Sequence, residues 1–254
     1  MQKTFLQQTF PPFLIAIIIL SVLQGIDYGY FAYLHNGLKF PDYFPIMLLS
    51  IFFAWKYIVR KPFSELLGIN IRNRKLCIRE FFSGLLFGSV LVFLTLGVSL
   101  ITQTLTPTFD PELWKNLLFM LVGYVFFIPI SALYEELHYR WLYNSLFSER
   151  YIRYIAIVVS AIIFALVHIG LQENAPIYYP INMFLFALIL SIIRLRWKSI
   201  IALVGIHSAW NFLLILFSPF FGSDSERYIE FTVVTTYILA LVLSIQIYLL
   251  AKKK

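Results

Sequence analysis

Carboxylate, imidazole and amide side chains interrupt three of the long apolar stretches of this chain, and they are the residues that could do chemistry. An ionisable group at the centre of a membrane helix costs about 2.5–3.5 kcal/mol unless it is paired, so such groups mark candidate functional sites. The residues concerned are Glu135, Glu136, His138 and Arg140 in one stretch, His168 in the next, and His207 with Asn211 further on.

The acidic group reads Tyr134-Glu-Glu-Leu-His-Tyr-Arg140. Glu136 and Arg140 are four residues apart, so on a helix they share a face and can pair. The pair leaves Glu135, about 100° around the helix, without a cation in its own segment. A carboxylate of that kind can act as a general base. The alternative from these residues alone is a polar clasp between helices.

The elements that hold these residues are predicted by composition. Of the 254 residues, 60% are apolar and 13% are charged, against about 25% charged in a soluble domain. This excludes an ordinary soluble protein and a disordered chain. Apolar stretches of membrane-spanning length predict an all-α, polytopic membrane protein with about eight transmembrane helices. The predicted helices lie near residues 12–34, 43–59, 82–104, 114–148, 152–170, 179–195, 199–219 and 228–250.

Lysine and arginine set the expected orientation. With the N-terminus in the cytosol, 16 of the 20 basic residues fall in predicted inner loops and 3 in outer loops, which follows the positive-inside rule. Both termini are then cytosolic. The net charge of +7 is therefore attributed to topology and contact with lipid headgroups, and not to nucleic-acid binding. The basic segment from Lys56 to Glu80 is predicted to lie on the inner leaflet or to form a solvated loop.

Three further features bear on the compartment. Cys77 is the single cysteine, so it cannot form an internal disulfide and is expected to be a reduced thiol. The first apolar run lacks a small-residue cleavage site and is interpreted as a retained helix. Asp27, near its outer end, is expected to be hydrogen-bonded or interfacial. The predicted location is a bacterial plasma membrane, with the endoplasmic reticulum as the alternative.

The predicted topology brings the polar groups to one depth. At about 1.5 Å per residue, Glu135 lies about 20 Å and His168 about 22 Å from the inner ends of their helices. By the same rise, His207 and Asn211 lie about 14 and 20 Å from theirs. The groups therefore converge on one layer near the middle of the bilayer.

Three motifs on separate predicted helices carry a family resemblance. They are Glu-Glu-x-x-x-Arg at 135–140, Phe-x-x-x-His at 164–168 and His-x-x-x-Asn at 207–211. In this order they resemble the CPBP family, which comprises the type II CAAX prenyl endopeptidases and the bacteriocin-processing or "Abi" membrane proteases. The stretch Leu-Gly-Ile-Asn-Ile-Arg at 67–72 is similar to a weaker upstream feature of the family. Trp141 departs from the family, since many relatives have glycine there.

The resemblance covers about residues 114–219, the expected catalytic core within a single membrane domain at 1–254. It implies an intramembrane endopeptidase of the glutamic type, which hydrolyses a membrane-associated peptide or protein without a cofactor. By this resemblance, Glu135 and His168 activate the attacking water. His207 and Asn211 stabilise the oxyanion. The supporting and orienting residues are Glu136, Arg140 and Phe164.

Zinc chemistry is the mechanistic alternative. Glu135 and His138 have the Glu-x-x-His spacing of di-iron carboxylate bundles, and with His168 and His207 they could form a zinc set with an open position. Because His138 lies outside the family motifs, a structural role at the cavity wall is expected for it.

Other classes fit less well. A membrane scaffold or immunity protein could keep this fold without activity, but it would have no need of Glu135. A transporter is disfavoured because no pair of broken helices occurs in matching halves. Ser160 and Ser208 have no base at matching depth for a serine mechanism. The substrate stays open among a prenylated CAAX tail, a bacteriocin leader and a pheromone precursor.

Overall fold

The computed structural model describes residues 74–105, 107, 109–142, 150–171, 177–197, 199–220 and 225–252, and this part of the chain is helical, without a strand. A π-helix, Glu136–Leu142, directly continues the second α-helix, and a 3-10 turn, Ser218–Phe220, follows the fifth. The α-helices are α1 (Arg74–Ile101), α2 (Pro111–Glu135), α3 (Arg150–Leu171), α4 (Tyr178–Trp197), α5 (Ile200–Phe217) and α6 (Ser225–Ala251).

Four of these helices are long and apolar enough to cross a membrane, namely α1, α4, α5 and most of α6. In α3 the segment Arg153–His168 is a shorter apolar helix. The prediction of an all-α, polytopic integral membrane protein is confirmed. The count of eight spans and the side of the termini stay predictions, because the predicted helices at 12–34 and 43–59, and Asp27 with them, lie outside the described residues.

The helix boundaries differ from the prediction at two places. α1 begins at Arg74 and not near residue 82, so the basic segment ends in a helix at 74–80. Its charges suggested a loop, but the first turns of a membrane helix can lie in the headgroup region, where charges are tolerated. The segment predicted at 114–148 is α2 followed by the π-helix. Residues 143–149 lie outside the described part of the chain.

Glycines allow α1 and α5 to pack backbone against backbone. A Cβ added to Gly84 would overlap the carbonyl oxygen of Ala202, and one added to Gly205 would overlap that of Phe81. Gly88 lies one turn after Gly84 and meets α5 in the same way. Small residues four apart are a common device for close helix contact in membranes. This contact fixes the position of α5, which carries His207 and Asn211.

Replacing Gly205 by alanine should destabilise the fold, because the added methyl group meets backbone atoms that cannot move aside. Overpacking costs about 1–3 kcal/mol, which corresponds to a fall of about 2–12 °C in Tm for a chain of this size. Thermal unfolding in detergent, followed by circular dichroism, measures it. Gly97→Ala is the matched control, since an added Cβ meets nothing there. Equal Tm values for the two variants would contradict this packing.

The remaining helices complete a core that spans α1, α4, α5 and α6. Leu190, Leu203 and Leu239 lie fully buried at its centre. A buried polar contact ties α4 to α6: Asn182 donates from Nδ2 to the carbonyl oxygen of Thr232 at 3.0 Å and accepts from the Thr236 hydroxyl at 2.7 Å. A hydrogen-bonded amide of this kind can hold two helices together in a membrane, because lipid tails are as apolar as the helices and the hydrophobic effect does not drive helix association there.

Candidate active site

The two acidic residues lie where α2 becomes a π-helix. Glu135 is the last residue of α2, and Glu136 is the first of the π-helix. π-Helices are rare and occur frequently at functional sites. On the facing helix α3, the Ser160 hydroxyl donates to the carbonyl oxygen of Tyr139 at 2.7 Å. The π-helix is thus attached to α3 through its own backbone.

Glu136 forms the buried ionic centre of the cluster. Its Oε1 lies 3.2 Å from Nη1 of Arg140 and 2.8 Å from Nδ1 of His207. The side chains of Glu136 and Arg140 are both 0% exposed. The spacing of four predicts this pair, and the added contact joins it to α5. A buried carboxylate that has a guanidinium and an imidazole as partners is compensated by them away from water.

Phe164 is the apolar partner of the same group. The Arg140 guanidinium lies over its ring at 4.5 Å from the centroid, a distance typical of a cation–π contact. The ring also packs against that of His168, with centroids 4.3 Å apart, and edge-on against Tyr139 at 5.0 Å. Phe164 is 1% exposed, so it fixes both a charged and an imidazole group in a dry environment.

Glu135 faces two imidazoles from different helices. Its Oε2 lies 4.0 Å from Nε2 of His168 on α3 and 3.7 Å from Nε2 of His207 on α5. Glu135 and His168 are 18% and 17% exposed, whereas Glu136 and Arg140 are fully enclosed. Water or a substrate can therefore reach the first pair, and the second pair can act only by holding its neighbours.

One hydrogen bond defines the tautomer of His168. Its Nδ1 lies 2.7 Å from the carbonyl oxygen of Phe164. A carbonyl oxygen only accepts, so Nδ1 carries the proton, and in the neutral ring Nε2 is an acceptor. Both groups that face each other across 4.0 Å, His168 Nε2 and Glu135 Oε2, are then acceptors. A water that donated to both would give Oε2 a donor, since that atom is buried and has no hydrogen-bond partner among the described residues.

The contact between His207 and Glu136 bears on the predicted oxyanion role of His207, which stays a prediction. Nδ1 of the ring lies 2.8 Å from Oε1 of Glu136, the carboxylate beside Arg140. If Nδ1 donates to this carboxylate, Nε2 can donate only when it also carries a proton. The ring is enclosed by Phe186 at 5.5 Å and Phe164 at 6.3 Å between centroids.

Asn211 and His138 are two other polar residues that the sequence singled out. Asn211 lies one helical turn after His207 and is partly exposed, and within the described residues no hydrogen bond or ion pair joins it to the cluster. His138 is 3% exposed. Its ring packs beside those of Tyr134 and Tyr139, with centroids 5.8 and 4.9 Å away. His138 is therefore a packing residue of the π-helix in this arrangement.

The residues proposed for zinc do not form a ligand set as they stand. Ligands at about 2.0–2.1 Å from a tetrahedral zinc ion lie about 3.3 Å from one another. The nitrogens of His168 and His207 are 4.0 and 3.7 Å from Glu135 Oε2. Within the described ranges, no three His, Cys, Asp or Glu side chains form a group that could hold a metal ion.

Three contributions to the site were missed in the sequence. Ser131 donates to Oε1 of Glu135 at 3.5 Å, at the outer limit of a hydrogen bond, and its position one turn before the glutamate was a usable signal. Gly84 and Gly88, which position α5, have the small-x-x-x-small spacing that indicates helix contact. Phe186, beside His207, gave no local signal, because a buried aromatic residue on an apolar helix is the common case.

The fold and this cluster define a helical integral membrane protein with a partly exposed carboxylate–imidazole site built on α2, the π-helix, α3 and α5. Residues 114–213 match the model of the family described as type II CAAX prenyl endopeptidase Rce1-like. The UPF0177 protein YbdI of Lactococcus lactis subsp. lactis (strain IL1403) is 23% identical over 185 residues, which cover 69% of this chain and 95% of that protein. Together these matches support the CPBP/Rce1-like family for this chain, and the resemblance predicted from the three motifs is confirmed.

Proposed function

We propose that the protein is an intramembrane endopeptidase in which Glu135 and His168 activate a water molecule. The observation that carries the proposal is the pair of facing acceptors, Glu135 Oε2 and His168 Nε2, which lie 4.0 Å apart on side chains that are 18% and 17% exposed. Oε2 itself is buried and has no hydrogen-bond partner among the described residues. The match to a protease family over residues 114–213 supports the same class of reaction. A contact that served only to join helices would be expected to pair an acceptor with a donor, and not to place two acceptors opposite each other.

The proposed reaction begins with this water. Glu135 accepts one proton as the water oxygen attacks the carbonyl carbon of the scissile peptide bond, and His168 holds the other hydrogen and orients the attack. The carbonyl π electrons move to oxygen and give a tetrahedral oxyanion. The C–N bond then breaks, and the amine nitrogen takes the proton from Glu135. The first products are a carboxylic acid and an amine, and transfer of the acid proton to the amine gives a carboxylate and an ammonium group.

His207 and Asn211 are the proposed donors to the oxyanion. The Asn211 amide carries two N–H groups, and it lies one turn from His207 on α5. In this proposal His207 donates from Nε2 while Nδ1 stays in contact with Glu136. Donors held in place in a dry site are effective for a developing oxyanion because they need no reorganisation.

The proposed substrate is a membrane-associated peptide or protein, and the proposed location is a bacterial plasma membrane. The site lies on helices of an integral membrane protein, so the scissile bond must reach it from the lipid or from the membrane surface. The bacterial source of the relative supports the location.

Comparative peptidomics tests the proposal and identifies substrates. Membranes from cells that produce the wild-type protein or Glu135→Gln are incubated, and released peptides are identified by mass spectrometry. The result expected is a set of cleavage products that only the wild type forms, and that purified wild-type protein also forms in proteoliposomes. Identical product sets from both membranes, together with no product from the purified wild-type protein, would reject the peptidase and favour a scaffold or immunity role.

Activity should not depend on zinc. Because the imidazole nitrogens lie too far from Glu135 Oε2 for a common tetrahedral ion, extended dialysis against a chelator should leave the hydrolysis rate unchanged. Elemental analysis should find less than about 0.1 zinc per chain, well short of the one ion that a catalytic site holds. One zinc per chain, with activity restored only by added metal, would establish the metalloprotease alternative.

A further inference from the structure

A line of residues on α3 faces the π-helix. Ser160, Phe164 and His168 are each four positions apart and therefore share one face of α3. The Ser160 hydroxyl bonds the Tyr139 carbonyl oxygen, and Phe164 lies under the Arg140 guanidinium. His168 ends the line, opposite Glu135. The π-helix and α3 are thus matched residue by residue along the whole candidate site.

The hydrogen bond of Ser160 differs from those of Ser191 and Thr235, two other buried hydroxyls in the interior of helices. Serine and threonine inside a helix commonly donate to the carbonyl four residues earlier. Ser191 does so toward Ala187, and Thr235 toward Phe231, each at 2.8 Å. Ser160 instead donates to a carbonyl 21 residues earlier, on another element, although it is only 2% exposed. Its hydroxyl therefore contributes to the packing of two elements and not to its own helix.

The partner carbonyl lies in the middle of the π-helix. A π-helix has i→i+5 hydrogen bonds and is rare beside the α-helix, so its persistence needs contacts from outside the segment. Return of residues 136–142 to α geometry would rotate the start of the segment relative to α3 and α5. Glu136 could then no longer lie 2.8 Å from His207 while Glu135 lies 3.7 Å from the same ring.

We propose that Ser160 is a positioning residue of the active site, whose hydroxyl holds the π-helix in the register that directs Glu135 and Glu136 onto His207. The inference rests on the proposed function, because it concerns the geometry of that reaction. Ser160 makes no nucleophilic attack in this scheme. It acts through the Tyr139 carbonyl, and its loss changes where the carboxylates lie, not which groups react.

Ser160→Ala and Ser191→Ala form a matched pair, since both remove one buried hydroxyl. In proteoliposomes, kcat of Ser160→Ala should fall by about tenfold or more with KM nearly unchanged, because a displacement of 1 Å at a reacting group costs about 10²-fold. Hydrogen exchange should become faster in 136–142 and stay unchanged in α5. Ser191→Ala should alter neither quantity. Ser160→Cys, a weaker donor of similar size, should give an intermediate kcat and serves if the alanine variant does not fold.

Two results overturn the proposal. One is a turnover of Ser160→Ala, per folded molecule, equal to that of Ser191→Ala. The other is unchanged exchange at 136–142. The exchange measurement does not depend on catalysis, so it separates the two hypotheses: inactive wild-type protein would reject the proposed function, whereas active wild-type protein with indifferent Ser160 variants would reject only the positioning role.

Discussion

Glu135→Gln should lower kcat by about 10²–10⁴-fold, the usual contribution of a general base. Glutamine keeps the shape of the side chain and its acceptor oxygen, but it cannot take a proton from water. Steady-state hydrolysis by purified protein in proteoliposomes measures the effect. The variant should still fold, because the Glu136–Arg140 pair and its contact with His207 stay in place.

The control for this variant lies on the same helix. Glu112→Gln removes an exposed carboxylate at the start of α2 whose only partner in the described structure is Lys115, at 2.7 Å. An exposed pair of this kind contributes little to stability, so its kcat and Tm should equal those of the wild type. Full activity of Glu135→Gln would remove Glu135 from the mechanism. A large loss in Glu112→Gln would show that the assay reports insertion or folding instead.

Local spacing was enough to predict the ion pair but not the geometry around His207. Glu136 and Arg140 pair as four-residue spacing suggests. On an ideal α-helix Glu135 would lie about 100° away from Glu136, which left Glu135 without a predicted partner in its own segment. In the structure the two carboxylates contact opposite nitrogens of one imidazole, at 3.7 and 2.8 Å. A π-helix is stabilised by neighbours such as Ser160, and no pattern within 134–140 encodes it.

The ends of the helices were likewise predictable where composition sets them and unpredictable where contacts in the folded chain set them. The apolar limits of α3 and α4 were predicted within two residues, at 152–170 and 179–195, because hydrocarbon imposes a sharp change of composition. α1 begins well before the predicted residue because its first turns are charged. Glu80, in those turns, accepts a hydrogen bond from the Ser199 hydroxyl at 2.7 Å, a contact between residues 119 apart that only the folded chain brings together.

Burial separates the roles within the cluster more sharply than residue type does. Glu135 and Glu136 are neighbours with the same side chain, yet one is 18% exposed and the other is enclosed with Arg140. An enclosed carboxylate with fixed partners cannot exchange protons with an incoming water, but it can hold His207 in one orientation. A partly exposed one can meet the water. The sequence motif names both residues, and their different surroundings support different functions.

Asn211→Ala should lower kcat and kcat/KM by similar factors of about 10²–10³, with KM little changed, because an oxyanion donor acts mainly in the transition state. His207→Ala should have a comparable effect on turnover per folded molecule. The double variant should lose less than the product of the two single losses, since residues that act as a unit are not additive. Single-turnover hydrolysis, normalised to folded protein, measures all three.

Asn182→Ala is the matched control for the amide. Asn182 is buried and hydrogen-bonded to Thr232 and Thr236 on α6, so its loss should lower Tm and leave the kcat of the folded fraction intact. Asn211 is partly exposed on the face of α5 that carries His207. Its loss should therefore lower the kcat of the folded fraction and leave Tm nearly unchanged. A lowered Tm with unchanged turnover for Asn211→Ala, as expected for Asn182→Ala, would show that Asn211 only joins helices. The oxyanion would then be stabilised by His207, or by hydrogen-bond donors that reach it only when substrate is bound.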